Sequence, residues 1–168
     1  MTASLLRVRL EINSALENEV TLAVRRLLAT TFAVPVTQKG EVRLTDKPVI
    51  KGDISGAVGL VQDEFEGNMI ISFPKATILS LMHRVYGQRF NELNKSVSDG
   101  VGEITNTLFA MVKKGLSERG YRFKMALPSV VIGDQHDITQ LEGTETLAIP
   151  FSSPIGTFEV FVSLCKQD

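Results

Sequence analysis

Asp99, Glu103 and Asn106 follow one another at spacings of four and three residues. On an α-helix those spacings stack side chains along one face. Ala110 extends the same row and Thr107 flanks it. The row offers an acid and an amide bordered by small side chains, a surface that another macromolecule can approach closely. An amide donates and accepts hydrogen bonds without titrating, which suits it to holding a water molecule in place. The competing explanation is a solvated helix face, where polar residues ordinarily sit. Gly100 and Gly102 belong to the same stretch, and each costs about 1 kcal/mol against Ala inside a helix. Such breaches of local propensity concentrate at functional or tightly packed sites. Close packing of the helix on a sheet would explain the glycines as well.

The helix that must carry this row is expected from Val97 to about Arg119. Ser96 followed by Asp99 resembles a capping box, with Asp in place of the usual Glu. Val101, Ile104, Leu108, Phe109, Val112 and Leu116 form its apolar stripe, and Gly120 ends it. An earlier long helix is expected from about Leu10 to Phe32, with Leu16, Val20, Ala23, Val24, Leu27, Leu28 and Thr31 inward. Its start is soft, because Leu5 to Ile12 also suits a strand. Pro74 suits the first position of a third helix. Ile78, Leu79, Met82, Val85 and Tyr86 form that helix's apolar side, and Gly87 stops it.

Strands are expected at Glu41 to Leu44, Val49 to Ile54, Ala57 to Val61 and Asn68 to Phe73, the last two joined by the acidic turn 63–67. Further strands fall in Arg122 to Ile132, broken at Pro128, then Thr144 to Phe151 and Thr157 to Leu164. Phe158, Val160, Val162 and Leu164 alternate onto one side. Strands arrive in consecutive groups and not as βαβ units. The expected fold class is therefore α+β, a mostly antiparallel sheet packed with long α-helices on one or both sides, in a single domain over residues 1–168.

Composition agrees with an ordinary globular core: 43% hydrophobic and 22% charged, with net charge −1 from 18 basic and 19 acidic residues. That balance argues against nucleic acid as partner. No apolar run reaches the ~20 residues that span a bilayer, and Arg7, Arg9 and Glu11 interrupt any signal-like core. No membrane role is expected, and the cytoplasm is the default compartment. The single cysteine, Cys165, rules out an internal disulfide and reads as a small buried hydrophobe at a strand end. His83 reads as a partnered helix histidine. Asp134, His136 and Asp137 read as a polar turn, because no second element supplies ligands. No metal site, nucleophile elbow or phosphate loop is apparent.

The run Ser98-Asp99-Gly100-Val101-Gly102-Glu103-Ile104-Thr105-Asn106 resembles the signature of the CheC/CheX/FliY phosphatases of bacterial chemotaxis. Their pattern is Asp or Ser, three residues, Glu, two residues, Asn, then a Pro some twenty residues on. Pro128 follows Asn106 after 21 intervening residues. Pro128-Ser129-Val130-Val131-Ile132-Gly133 and the two C-terminal strand segments also fit the family, so the resemblance spans about Leu10 to the end. The chain looks most like the CheX branch. CheC members carry a Glu…Asn pair on each long helix, and none of the Glu residues of the first helix here is followed by Asn three residues later.

The resemblance implies hydrolysis of the aspartyl phosphate of a CheY-like response-regulator receiver domain. Asn106 would position the attacking water. Glu103 would pair with a lysine of the receiver and set the register. Asp99, Gly102, Thr107 and Ala110 would line the partner-binding face, with helix capping the better role for Asp99 and a structural one for Pro128. No cofactor would be bound by this chain, and Mg²⁺ would ride on the receiver. A homodimer built through the sheets is implied as well, in line with apolar C-terminal strands that would offer sheet edges. The alternative function is a non-catalytic scaffold of the same fold that binds a receiver or a flagellar-switch component.

Overall fold

A computed structural model describes residues 3–133 and 144–166. The chain opens with α1 (Ala3–Phe32). Its buried residues Ile12, Leu16, Val20, Ala23, Val24, Leu27 and Leu28 keep a helical period throughout. That period continues back through Ile12, so the soft start resolves as helix. Phe32 and not Thr31 fills the last inward position; Thr31 is exposed.

Two short strands follow, β1 (Thr37–Gln38) and β2 (Arg43–Thr45), in place of the expected strands at 41–44 and 49–54. The long hairpin is β3 (Ile54–Gln62) and β4 (Phe65–Phe73), paired in register from Ile54↔Phe73 to Gln62↔Phe65. Only Asp63 and Glu64 lie between the strands, so the turn is shorter than the acidic run suggests. Next come α2 (Lys75–Tyr86) and α3 (Lys95–Glu118). The sheet is completed by β5 (Lys124–Met125), β6 (Ser129–Ile132), β7 (Thr146–Ser153) and β8 (Gly156–Lys166). The stretch around Pro128 is therefore two short strands and not one.

Strand order is β1-β7-β8-β4-β3-β5, with β2 also pairing β7 and β6 also pairing β3. Every one of these pairings is antiparallel. The fold is α+β, as the order of elements requires. Strand β8 lies between β7 and β4, so the C-terminal strands form the middle of the sheet and offer no edge. The edges belong to strands of two to four residues, a common way of blunting edge pairing.

The three helices pack on one face of the sheet: α3 on β3, β4 and β6, α2 on β8, α1 on β7. Alternate residues meet them there, namely Ile54, Val58 and Leu60, then Met69, Ile71 and Phe73, then Phe158, Val160 and Val162. The Phe158 ring stacks on Phe151 and meets Phe73 at a tilt, each at a centroid distance of 5.3 Å. On the other face a smaller cluster joins Ile70, Ala148 and Phe161, closed over by Ile50 from the irregular segment before β3.

The approach of α3 to the sheet is made by a strand residue. A Cβ on Gly56 of β3 would overlap Oγ1 of Thr105, which is fully buried and donates to the Val101 carbonyl at 2.7 Å. The helix glycines do other work. Gly100 faces Met82 of α2, whose Sδ would lie 2.5 Å from an added Cβ. At Gly102 a methyl would make only ordinary contact with Val130 at 3.7 Å.

Gly56→Ala is expected to lower stability by about 2 kcal/mol through overpacking. For a chain of this size that is roughly 4–8 °C of midpoint, read by thermal unfolding. Gly102→Ala is expected to leave the midpoint unchanged or slightly raised.

Candidate functional site

Helix α3 begins at Asn94, whose side chain accepts from the Val97 amide at 3.0 Å. The N-cap is thus Asn94 and not Ser96, and Asp99 lies beyond the first turn that a cap can serve. Asp99 instead accepts from Lys95 at 2.7 Å, an exposed i,i+4 ion pair. Such a pair is worth only a few tenths of a kcal/mol, so Asp99 is neither a cap nor an important staple.

From that start the helix turns one stripe inward and one outward. Val97, Val101, Ile104, Thr105, Leu108, Phe109, Val112 and Leu116 are buried. Asp99, Glu103, Asn106, Thr107 and Ala110 are exposed, and Gly102 is half-exposed. These six residues therefore share one outward surface. Among the described residues, neither the Glu103 carboxylate nor the Asn106 carboxamide has a hydrogen-bond or ion-pair partner. Both polar heads are free to engage another molecule.

The acid on the neighbouring long helix is spoken for. Glu19 of α1 accepts from Arg119 at 2.8 Å and is largely buried, beside the space that Gly115 leaves open. That contact ties α1 to the far end of α3.

Beside Glu103 the surface is concave. A groove of about 140 Å³ runs between the ends of α1 and α2 and the N-terminal half of α3, bordered by Glu103 and Thr107. No sequence signal points to it, because Val85 and Tyr86 had been expected on the inward side of α2. The buried side is instead Thr77, Ile78, Leu81 and Met82. Pro74 is the N-cap and not the first helical residue, and Asp53 accepts the Lys75 amide at 2.6 Å in place of a side-chain cap. Gly87 ends α2 with φ +70.

The remaining candidates resolve more simply. His83 is exposed, with no side-chain partner among the described residues, so it is not the partnered histidine expected. Cys165 is free and only half-buried in β8. Pro128 is half-buried in the connection between β5 and β6. Asp134, His136 and Asp137 lie outside the described residues. Among the described residues, no group of three His, Cys, Asp or Glu side chains could hold a metal ion. No helix there is long and apolar enough to cross a membrane.

The family model for the chemotaxis phosphatase CheX matches residues 54–152, more than half of the chain. The chain belongs to the CheX family. Solved CheX and CheC-like structures agree in fold. A CheC-like superfamily protein from Shewanella sp. PV-4 superposes with a TM-score of 0.83 at 30% identity, covering 90% of this chain and 97% of that one. Chemotaxis protein CheX from Vibrio vulnificus gives 0.82 at 31% identity, covering 89% and 99%. The CheX of a CheX–CheY–BeF₃–Mg²⁺ complex from Borrelia burgdorferi gives 0.69 at 22% identity, covering 90% and 96%, and shares the fold. No curated protein matches the chain.

Asn94→Ala is expected to lower stability by about 1 kcal/mol, the usual worth of an N-cap side chain. Ser96→Ala and Asp99→Asn are expected to stay within about 0.5 kcal/mol of the parent. Urea titration of the three variants checks the assignment of the cap.

Proposed function

We propose that the chain is a phosphatase that removes the phosphoryl group from an aspartate of a CheY-like receiver domain. The observation that carries this reading is the Asn106 carboxamide. It stands exposed and uncommitted one turn beyond an equally uncommitted Glu103, on a helix whose opposite side is locked into the core. Membership of the CheX family and the CheX–CheY complex from Borrelia burgdorferi support the same partner class.

An aspartyl phosphate is an acyl phosphate, so its P–O bond is already activated. What limits hydrolysis is the placing of a water in line with phosphorus. The Asn106 amide oxygen accepts a hydrogen bond from that water, and its NH₂ donates to a phosphoryl oxygen. Water oxygen then bonds to phosphorus while the bond to the aspartyl oxygen breaks. The products are inorganic phosphate and the receiver's free carboxylate. Mg²⁺, held by the receiver, balances charge on the phosphoryl oxygens. Glu103 docks on the receiver's active-site lysine and fixes the register at which Asn106 enters. Asp99, Gly102, Thr107 and Ala110 form the close-approach surface around them. The half-exposed Gly102, where a methyl would fit the fold, keeps that surface low.

A homodimer built through the sheets would use a sheet edge. Strand β6 is the better one, with Val131 and Ile132 exposed and the neighbouring Leu127 92% exposed. Light scattering on the purified chain tests this, and a monomer at micromolar concentration would reject it.

Decay of the phosphorylated receiver, with and without the chain, decides the main proposal. Asn106→Ala is expected to lose at least about a hundredfold in accelerated hydrolysis, the usual loss for a positioned polar group at a reacting centre. Its unfolding midpoint should match the parent's. Glu103→Lys should raise KM by placing like charges opposite one another. Undiminished turnover by Asn106→Ala refutes the mechanism. A chain that binds the receiver without shortening its phosphorylated lifetime is the scaffold alternative.

A further inference from the structure

The groove beside Glu103 is built to take an apolar group. Its floor is Phe32, Met82 and Ile104, all buried, and its outer wall is Val85 and Tyr86. Those two side chains are 45% and 54% exposed. The Tyr86 ring meets Phe90 edge-on at 5.9 Å. Gly100 also lines the groove, and a Cβ there would push aside the end of the Met82 side chain.

Size and position narrow the occupant. A dry apolar space of about 150 Å³ takes a group the size of benzene, so 140 Å³ suits a single aromatic or branched aliphatic side chain. Glu103 is itself part of the rim. Asn106 is not part of it and lies on the other side of Glu103, so a partner that docks on Glu103 has Asn106 on one flank and the groove on the other. An apolar anchor in a pocket ringed by polar groups is the arrangement that concentrates binding energy in protein interfaces.

We propose that the groove seats one large apolar side chain of the docked receiver, and that Val85 and Tyr86 thereby select which receiver is bound. This rests on the receiver-phosphatase reading above and extends it from catalysis to partner choice. Receivers with an apolar residue at the facing position are accepted. Those with a charged one bury it against Met82 and Ile104 and are rejected.

The test separates affinity from turnover. Binding of CheY-type receivers from the same genome, each loaded with BeF₃ and Mg²⁺, is measured by calorimetry for the parent, Val85→Asp and Tyr86→Ala. Both changes are at exposed positions, and matching unfolding midpoints verify the fold. Val85→Asp is expected to raise Kd at least about tenfold, and Tyr86→Ala about threefold or more. At saturating phosphorylated receiver, kcat should remain within about twofold of the parent for both. Parental affinity in both variants overturns the proposal. So does loss of a dimer with receiver affinity intact, which would assign the groove to a second copy of the chain. Asn106→Ala is run alongside. Its full activity would defeat the catalytic reading while the binding data still judged the groove on their own.

Discussion

What faces out from α3 is fixed by what its other side must bury. The stripe from Val97 to Leu116 has no stable place except against the sheet and α1. Thr105 keys into the gap that Gly56 leaves, and Met82 keys into the gap at Gly100. The seat of Thr105 against Gly56 and of Met82 against Gly100 favours this one rotation of the helix. A roll of one residue, about 100°, would carry Asn106 toward the buried side. The outward display of Glu103 and Asn106 is thus a by-product of packing. It costs the side chains themselves nothing in lost contacts.

The division of labour along this helix explains how a small motif suffices. Among the described residues the Glu103 carboxylate and the Asn106 carboxamide make no hydrogen bond or ion pair, so their chemistry is unconstrained by stability. Glu19 shows the opposite case. Its carboxylate is drawn into an ion pair with Arg119 and largely removed from water, which makes it part of the scaffold. Two long helices of similar character therefore carry acids with different fates. What decides between them is whether a cation on the neighbouring helix comes within reach.

Much of this was readable from residue types and spacing. The α3 stripe, its outward row and the antiparallel α+β class follow from periodicity, and the structure agrees with each. Periodicity failed where two elements compete for one role. Asn94 lies just outside the apolar pattern, and its capping depends on an extended backbone of φ −80 and ψ −176 that no spacing reveals. Val85 and Tyr86 match the helical period of α2, yet the helix is rolled so that Thr77 and Leu81 face inward. The reason lies in the sheet: Thr77 donates to the carbonyl of Thr157 at 3.0 Å, a contact eighty residues away in sequence. The regularity of β8 gave no hint that it would occupy the middle of the sheet, since strand order is set by partners and not by the strand's own alternation.

The rear of the sheet has a consequence for how the molecule breathes. Phe161, Ile70 and Ala148 are shielded there by Ile50 on a segment without regular hydrogen bonding, whereas the front carries three helices. Local excursions begin where the fewest apolar contacts hold. The strap bearing Ile50 can therefore lift and reseat many times while α3 stays still, so amide exchange in that segment would run ahead of global unfolding without the outward row ever losing its footing.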